Sequence, residues 1–75
     1  MQLKKLGSNM TELVTRDGRI LFSYETPVAV LDHGDYEYYV TDRFFSKTTT
    51  RHINKWLEGV NAVKVSHAKI EGYVV

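Results

Sequence analysis

The chain has 75 residues, 43% of them hydrophobic, with ten Lys plus Arg against nine Asp plus Glu and no cysteine. That length leaves room for one hydrophobic core and no second independently folding unit, and the missing thiols exclude disulfide staples and thiolate metal sites. A net charge of +1 gives no general footprint for nucleic acid, so any such binding must come from local clustering. Five Tyr, three Phe and one Trp are a dense aromatic supply for a thin core, which favours an ordered fold and makes self-association one way to bury the surplus. No apolar run approaches the roughly 18 residues of a membrane span, and Met1 to Gly7 lacks the apolar centre of a signal peptide. The expectation is a cytoplasmic protein with no membrane partner.

In chain order, Gln2 to Leu6 reads as an edge strand carrying Lys4 and Lys5, and Gly7-Ser8-Asn9 as a turn. Met10 to Thr15 is a short strand. Asp17-Gly18 between two β-prone runs signals a tight hairpin with positive φ at the turn. On the return strand, Arg19 to Tyr24, alternation places Ile20, Phe22 and Tyr24 on one face and Arg19, Leu21 and Ser23 on the other, and the aromatic face is expected to be the core. Glu25-Thr26-Pro27 holds no residue suited to positive φ, and the β pattern resumes as Val28 to Leu31, so one long strand bent at Pro27 is favoured, with the bend at an edge or a bulge. Asp32-His33-Gly34-Asp35 closes a second hairpin. Its return strand, Tyr36 to Thr41, carries tyrosine on both faces, which leaves one tyrosine near solvent.

After Phe45 the period changes. Ile53, Trp56, Leu57 and Val60 fall at i, i+3, i+4 and i+7, the apolar stripe of a helix from about Thr48 to Glu58, with Ser46 or Thr48 to cap its start and Gly59 its end. Ala62 to Val65 is a last strand, and Ser66 starts a short helical turn through Glu71 that Gly72 ends. The fold class is therefore α+β: a small antiparallel β meander with a bent long strand, one main helix on one sheet face, and a short C-terminal strand or helical turn.

Three surfaces carry chemistry. Lys47, Arg51 and Lys55 share one helical stripe opposite the Trp56 face; with Arg43 they form a nucleic-acid or anion-binding candidate, while Glu58 in the same stripe fits a plain solvated face. Phe44 and Phe45, in a connection, together with Tyr39, make a candidate protein interface. Tyr24, Thr49 and His52 make a candidate polar pocket, since phenol, hydroxyl and imidazole together hold a ligand or a water. His33, His52 and His67 have no partner at a metal-ligand spacing, and Asp32, Asp35 and Asp42 lack the order of a calcium loop, so no metal and no cofactor is expected. Nothing specifies a nucleophile, a base and an orienting group, so no enzyme is expected either.

Two segments, Phe22-Ser23-Tyr24-Glu25-Thr26-Pro27-Val28-Ala29 and Ser46 to Leu57, follow the patterns S-Y-x-T-P-V-A and S-x-T-T-x-x-H-I-x-x-W. Over about Met10 to Leu57 the chain resembles an uncharacterised family of short proteins from phage genomes and environmental sequences. That resemblance implies a viral or mobile-element origin, hence the host cell cytoplasm, and no catalytic residues. The functional expectation is a non-enzymatic accessory module that binds a host or phage protein or itself as a homodimer through a sheet edge or the Phe44-Phe45 surface. Nucleic-acid binding by the basic helix face is the alternative, and small-ligand binding the second alternative.

Overall fold

The computed structural model describes residues 2–74. Six strands form one sheet in sequence order: β1 (Gln2–Gly7), β2 (Met10–Val14), β3 (Gly18–Ser23), β4 (Thr26–Asp32), β5 (Glu37–Thr41) and β6 (Val63–Val65). The first five make an antiparallel meander, and β6 lies parallel to β5. A parallel neighbour needs a crossover, which α1 (Lys47–Leu57) supplies; α2 (His67–Gly72) follows β6. The α+β class expected from the sequence is the fold observed, with the C-terminal segment forming both a strand and a helical turn.

Each helix takes a different sheet face. Cross-strand pairing sets Ile20 opposite Val30 and Leu21 opposite Ala29, so adjacent residues supply two separate cores. Met10, Leu21, Val28 and Ala29 pack with Val40, Ile53 and Trp56 beneath α1. Ile20, Val30 and Ile70 pack with Leu13, Phe22, Tyr39, Val65 and Tyr73 beneath α2. The expectation that the Ile20–Phe22 face alone would be the core is thus corrected: Leu21 on the other face is as fully buried. With about 0.8 kcal/mol gained per buried CH₂, two covered faces use more of the small chain's apolar supply than one.

The long strand bent at Pro27 is corrected too. β3 and β4 pair antiparallel around Tyr24-Glu25, a hairpin made by Tyr24 itself adopting φ 59°. The bulge does occur: Leu21 pairs with Ala29 and Phe22 with Pro27, leaving Val28 as the extra residue. Proline has no ladder donor, so a place next to a bulge suits it.

Gly18 departs from its expected role. It does not take positive φ; instead, a Cβ there would lie 2.1 Å from the Leu31 carbonyl oxygen. Close approach of β4, not turn conformation, requires glycine. The turn is held by Thr15, whose N–H donates to the Gly18 carbonyl at 2.8 Å and whose Oγ1 accepts from the Gly18 N–H at 3.2 Å.

Helix α1 starts where its sequence suggests. Ser46 is extended and its hydroxyl accepts from the Thr49 N–H, while Glu58, with φ 51°, and Gly59, with φ 85°, turn the chain left-handed at the other end. Tyr36, just before β5, lies in solvent at 80% exposure, and Tyr24, expected on the core face, is corrected to 51% exposed because it sits in the β3–β4 turn.

Candidate functional site

The hydroxyl-rich start of α1 docks on the end of β3. Ser23 Oγ lies 3.0 Å from Thr49 Oγ1 and 2.8 Å from His52 Nδ1. The Ser46 hydroxyl donates to Thr49 Oγ1 at 3.3 Å while accepting from the Thr49 N–H. Ser23 and Thr49 are buried, and the Tyr24 ring tilts over His52 with centroids 6.1 Å apart. Tyr24 and Thr49 thus both lie near His52, with the Thr49 hydroxyl and the His52 ring nitrogen taken up by Ser23. The residue missed is Ser23, which stands between Thr49 and His52 and joins strand to helix. Its signal was a hydroxyl on the same strand face as the buried Leu21.

A second tie runs from helix to sheet at Trp56. The indole N–H donates to Glu12 Oε2 at 2.8 Å, and Arg19 sits 3.5 Å from Glu12 Oε1. Glu12 is a carboxylate with only 8% of its side chain exposed, so both partners matter. Tyr38 meets the indole edge-on at 5.7 Å.

Arg43, Lys47, Arg51 and Lys55 all lie exposed. Among the described residues the ion pairs are Arg19–Glu12 and His67–Glu71, so none of the four is paired. Positions four apart rise about 6 Å along a helix, which strings Lys47, Arg51 and Lys55 along one edge of α1. Its first turn carries no acid.

Phe44 is 72% exposed. It borders an open groove of about 510 Å³ whose walls include Val40, Ile53, Leu57 and Val60. Phe45 turns instead toward α2, its ring 5.1 Å from that of the buried His67, and His67 Nδ1 lies 2.9 Å from Thr41 Oγ1. Tyr39 is not part of this groove. As the neighbour of Val40 in β5 it faces the α2 side, stacks on Tyr73 at 6.5 Å and lies beneath the Lys69 ammonium at 4.4 Å.

Tyr39 belongs to a further polar cluster at the hairpin after β4. Its phenol donates to Asp35 at 2.7 Å, and that bond to a carboxylate pushes the phenol up to about 12. Tyr73 donates to Asp32 at 2.8 Å; desolvation first, then this bond, raises its phenol, and the same bond holds the Asp32 carboxyl below its ordinary range. Both carboxylates also accept from backbone, Gly34 to Asp32 and Glu37 to Asp35, as their turn roles require. Among the described residues no three His, Cys, Asp or Glu side chains gather to hold a metal ion, and no helix is long and apolar enough to cross a membrane.

A family of unknown function, DUF8033, matches residues 1–72. The chain belongs to this family. The match runs from β1 to the last residue of α2, so DUF8033 takes in the whole sheet and both helices rather than a local motif. No curated protein and no solved structure matches the chain.

Proposed function

We propose that this DUF8033 protein is a non-enzymatic accessory module, of phage or mobile-element origin and acting in the host cytoplasm, that works by protein–protein contact through the Phe44 groove. The observation that carries the reading is Phe44 itself, 72% exposed beside a groove that sets Val40, Ile53, Leu57 and Val60 among polar side chains, in a chain with little core to spare. An aromatic left in water forgoes the burial that stabilises small domains, and a partner's surface, including that of a second copy, restores it.

Replacing Phe44 with a photo-cross-linking phenylalanine analogue tests this in cells or in purified mixtures. One dominant cross-linked protein, itself or another, is the expected result. Cross-linking no greater than from the same analogue placed at exposed Tyr36 would refute it.

The unpaired basic stripe favours nucleic-acid binding as a second reading. Three to four phosphate contacts by Arg43, Lys47, Arg51 and Lys55 predict that log K against log salt falls with a slope of about −2 to −3 for a single strand. Affinity indifferent to salt, or to Arg51→Ala with Lys55→Ala, rejects this reading.

A further inference from the structure

Strand β1 ends the sheet, and no strand pairs with its outer edge among the described residues. It runs for six residues, five of them exposed, whereas the opposite edge strand β6 has three. An unpaired row of backbone donors and acceptors of that length is a template for one more strand. From the chemistry along it, we infer that β1 is a docking edge for an extended segment of another protein with the pattern apolar-acidic-acidic-apolar.

The pattern follows from register. Leu3 lies across from Leu13 and Lys5 from Thr11, so Leu3 and Lys5 share the α2 side; Lys4, across from Glu12, lies on the α1 side, and Leu6, the residue without a partner at the bulge between Lys5 and Gly7, reaches that same side beside Met10 and Trp56. Leu3, 69% exposed, borders a shallow recess with Leu13, Phe22 and Tyr24. Leu6 borders a groove of about 370 Å³ with Met10, Leu31 and Trp56. An added strand places one side chain beside each β1 residue on the same face. Its residue next to Leu3 extends a mainly apolar recess on the α2 side, its residue next to Leu6 meets the apolar stretch of Leu6, Met10, Leu31 and Trp56 in a groove that charged Glu12, Arg19, Lys55 and Glu58 also line, and its two central residues meet Lys4 and Lys5. Neither lysine is in an ion pair among the described residues, and the Glu12 carboxylate across from Lys4 is engaged by Trp56 and Arg19.

The lysines also argue against a second copy as the occupant. Two β1 strands related by a two-fold axis centred on the edge set Lys4 against Lys4, or Lys5 against Lys5, and like charges directly opposite destabilise a pair. The edge lies at the far end of the sheet from the Phe44 groove, so the two surfaces stand or fall separately.

The test uses two blocked peptides, Thr-Val-Glu-Glu-Val-Thr and Thr-Val-Lys-Lys-Val-Thr, titrated into the intact protein and into the Lys4→Glu, Lys5→Glu variant, with amide chemical shifts as the readout. Wild type is expected to bind the acidic peptide about tenfold more tightly than the basic one, with shifts centred on Gln2 to Gly7, and the variant to reverse that preference. Equal affinity for both peptides, no binding of either, shifts centred on β6, or concentration-dependent dimerisation through β1 in wild type would each overturn the proposal. The unperturbed resonances of β4 and α2 report that the variant remains folded.

Discussion

Replacing Trp56 with Phe separates two things the indole does: it fills space between α1 and the sheet, and its N–H satisfies a nearly buried carboxylate. Without the N–H, Glu12 keeps Arg19 at 3.5 Å as its charged neighbour, and Arg19 is 46% exposed. A buried charged acceptor stripped of its donor costs about 1–3 kcal/mol, and the smaller ring forfeits about 1 kcal/mol of burial. The expected loss is thus about 2–4 kcal/mol, seen as a fall in Tm of about 10 °C or more for a chain of this size. Adding Glu12→Leu removes the stranded carboxylate. The double variant should then be more stable than the sum of the two single losses by about 1 kcal/mol or more, because partners deleted together leave nothing unsatisfied. Urea denaturation followed by far-ultraviolet circular dichroism gives all four corners of the cycle. Losses additive to within about 0.5 kcal/mol would show that the hydrogen bond contributes nothing specific.

Gly18→Ala forces a methyl to within 2.1 Å of the Leu31 carbonyl, so β3 and β4 must part; a loss of about 3 kcal/mol or more in urea is expected, and a neutral effect would contradict the close approach. The hairpin cluster fixes the shape of the pH profile. Tyr39 and Tyr73 have raised phenols, so their stabilisation is complete below the ordinary phenol range near pH 10 and is lost as pH climbs toward 12 and beyond. Asp32 is lowered, so its contribution is present above about pH 4 and disappears as pH falls through its depressed value. Tyr73→Phe should flatten both ends of that profile in thermal melts.

Much of this fold is local and hence readable in the chain. The Ile53-Trp56-Leu57 stripe, the Ser46 cap and the turn acids need only neighbours a few residues away. Tyr24 was opaque because an ordinary side chain at positive φ is set by the pairing of β3 with β4, not by the propensity of the turn. Asp17-Gly18 signals a hairpin in the sequence, but what requires the glycine is the carbonyl of Leu31, thirteen residues on in a different strand. Which helix covers which face was hidden, because residues 67–72 can be read as helical without any sign that they cover the Ile20 and Val30 face and so leave the Leu21 face to α1. Of the candidate sites, Tyr24, Thr49 and His52 converge, but the Ser23 that joins them lies 26 residues before Thr49, and Glu12 lies 44 before Trp56. Long-range partners of that kind leave only a polar residue on an apolar strand face as their trace.

The central claim is that Phe44 is offered to a partner rather than needed by the fold, and equilibrium urea denaturation of Phe44→Ser against wild type tests it most directly. At 72% exposure the substitution is expected to leave stability within about 0.5 kcal/mol. A loss of about 2 kcal/mol or more would mean that the ring belongs to the core and that the proposed contact surface is part of the fold.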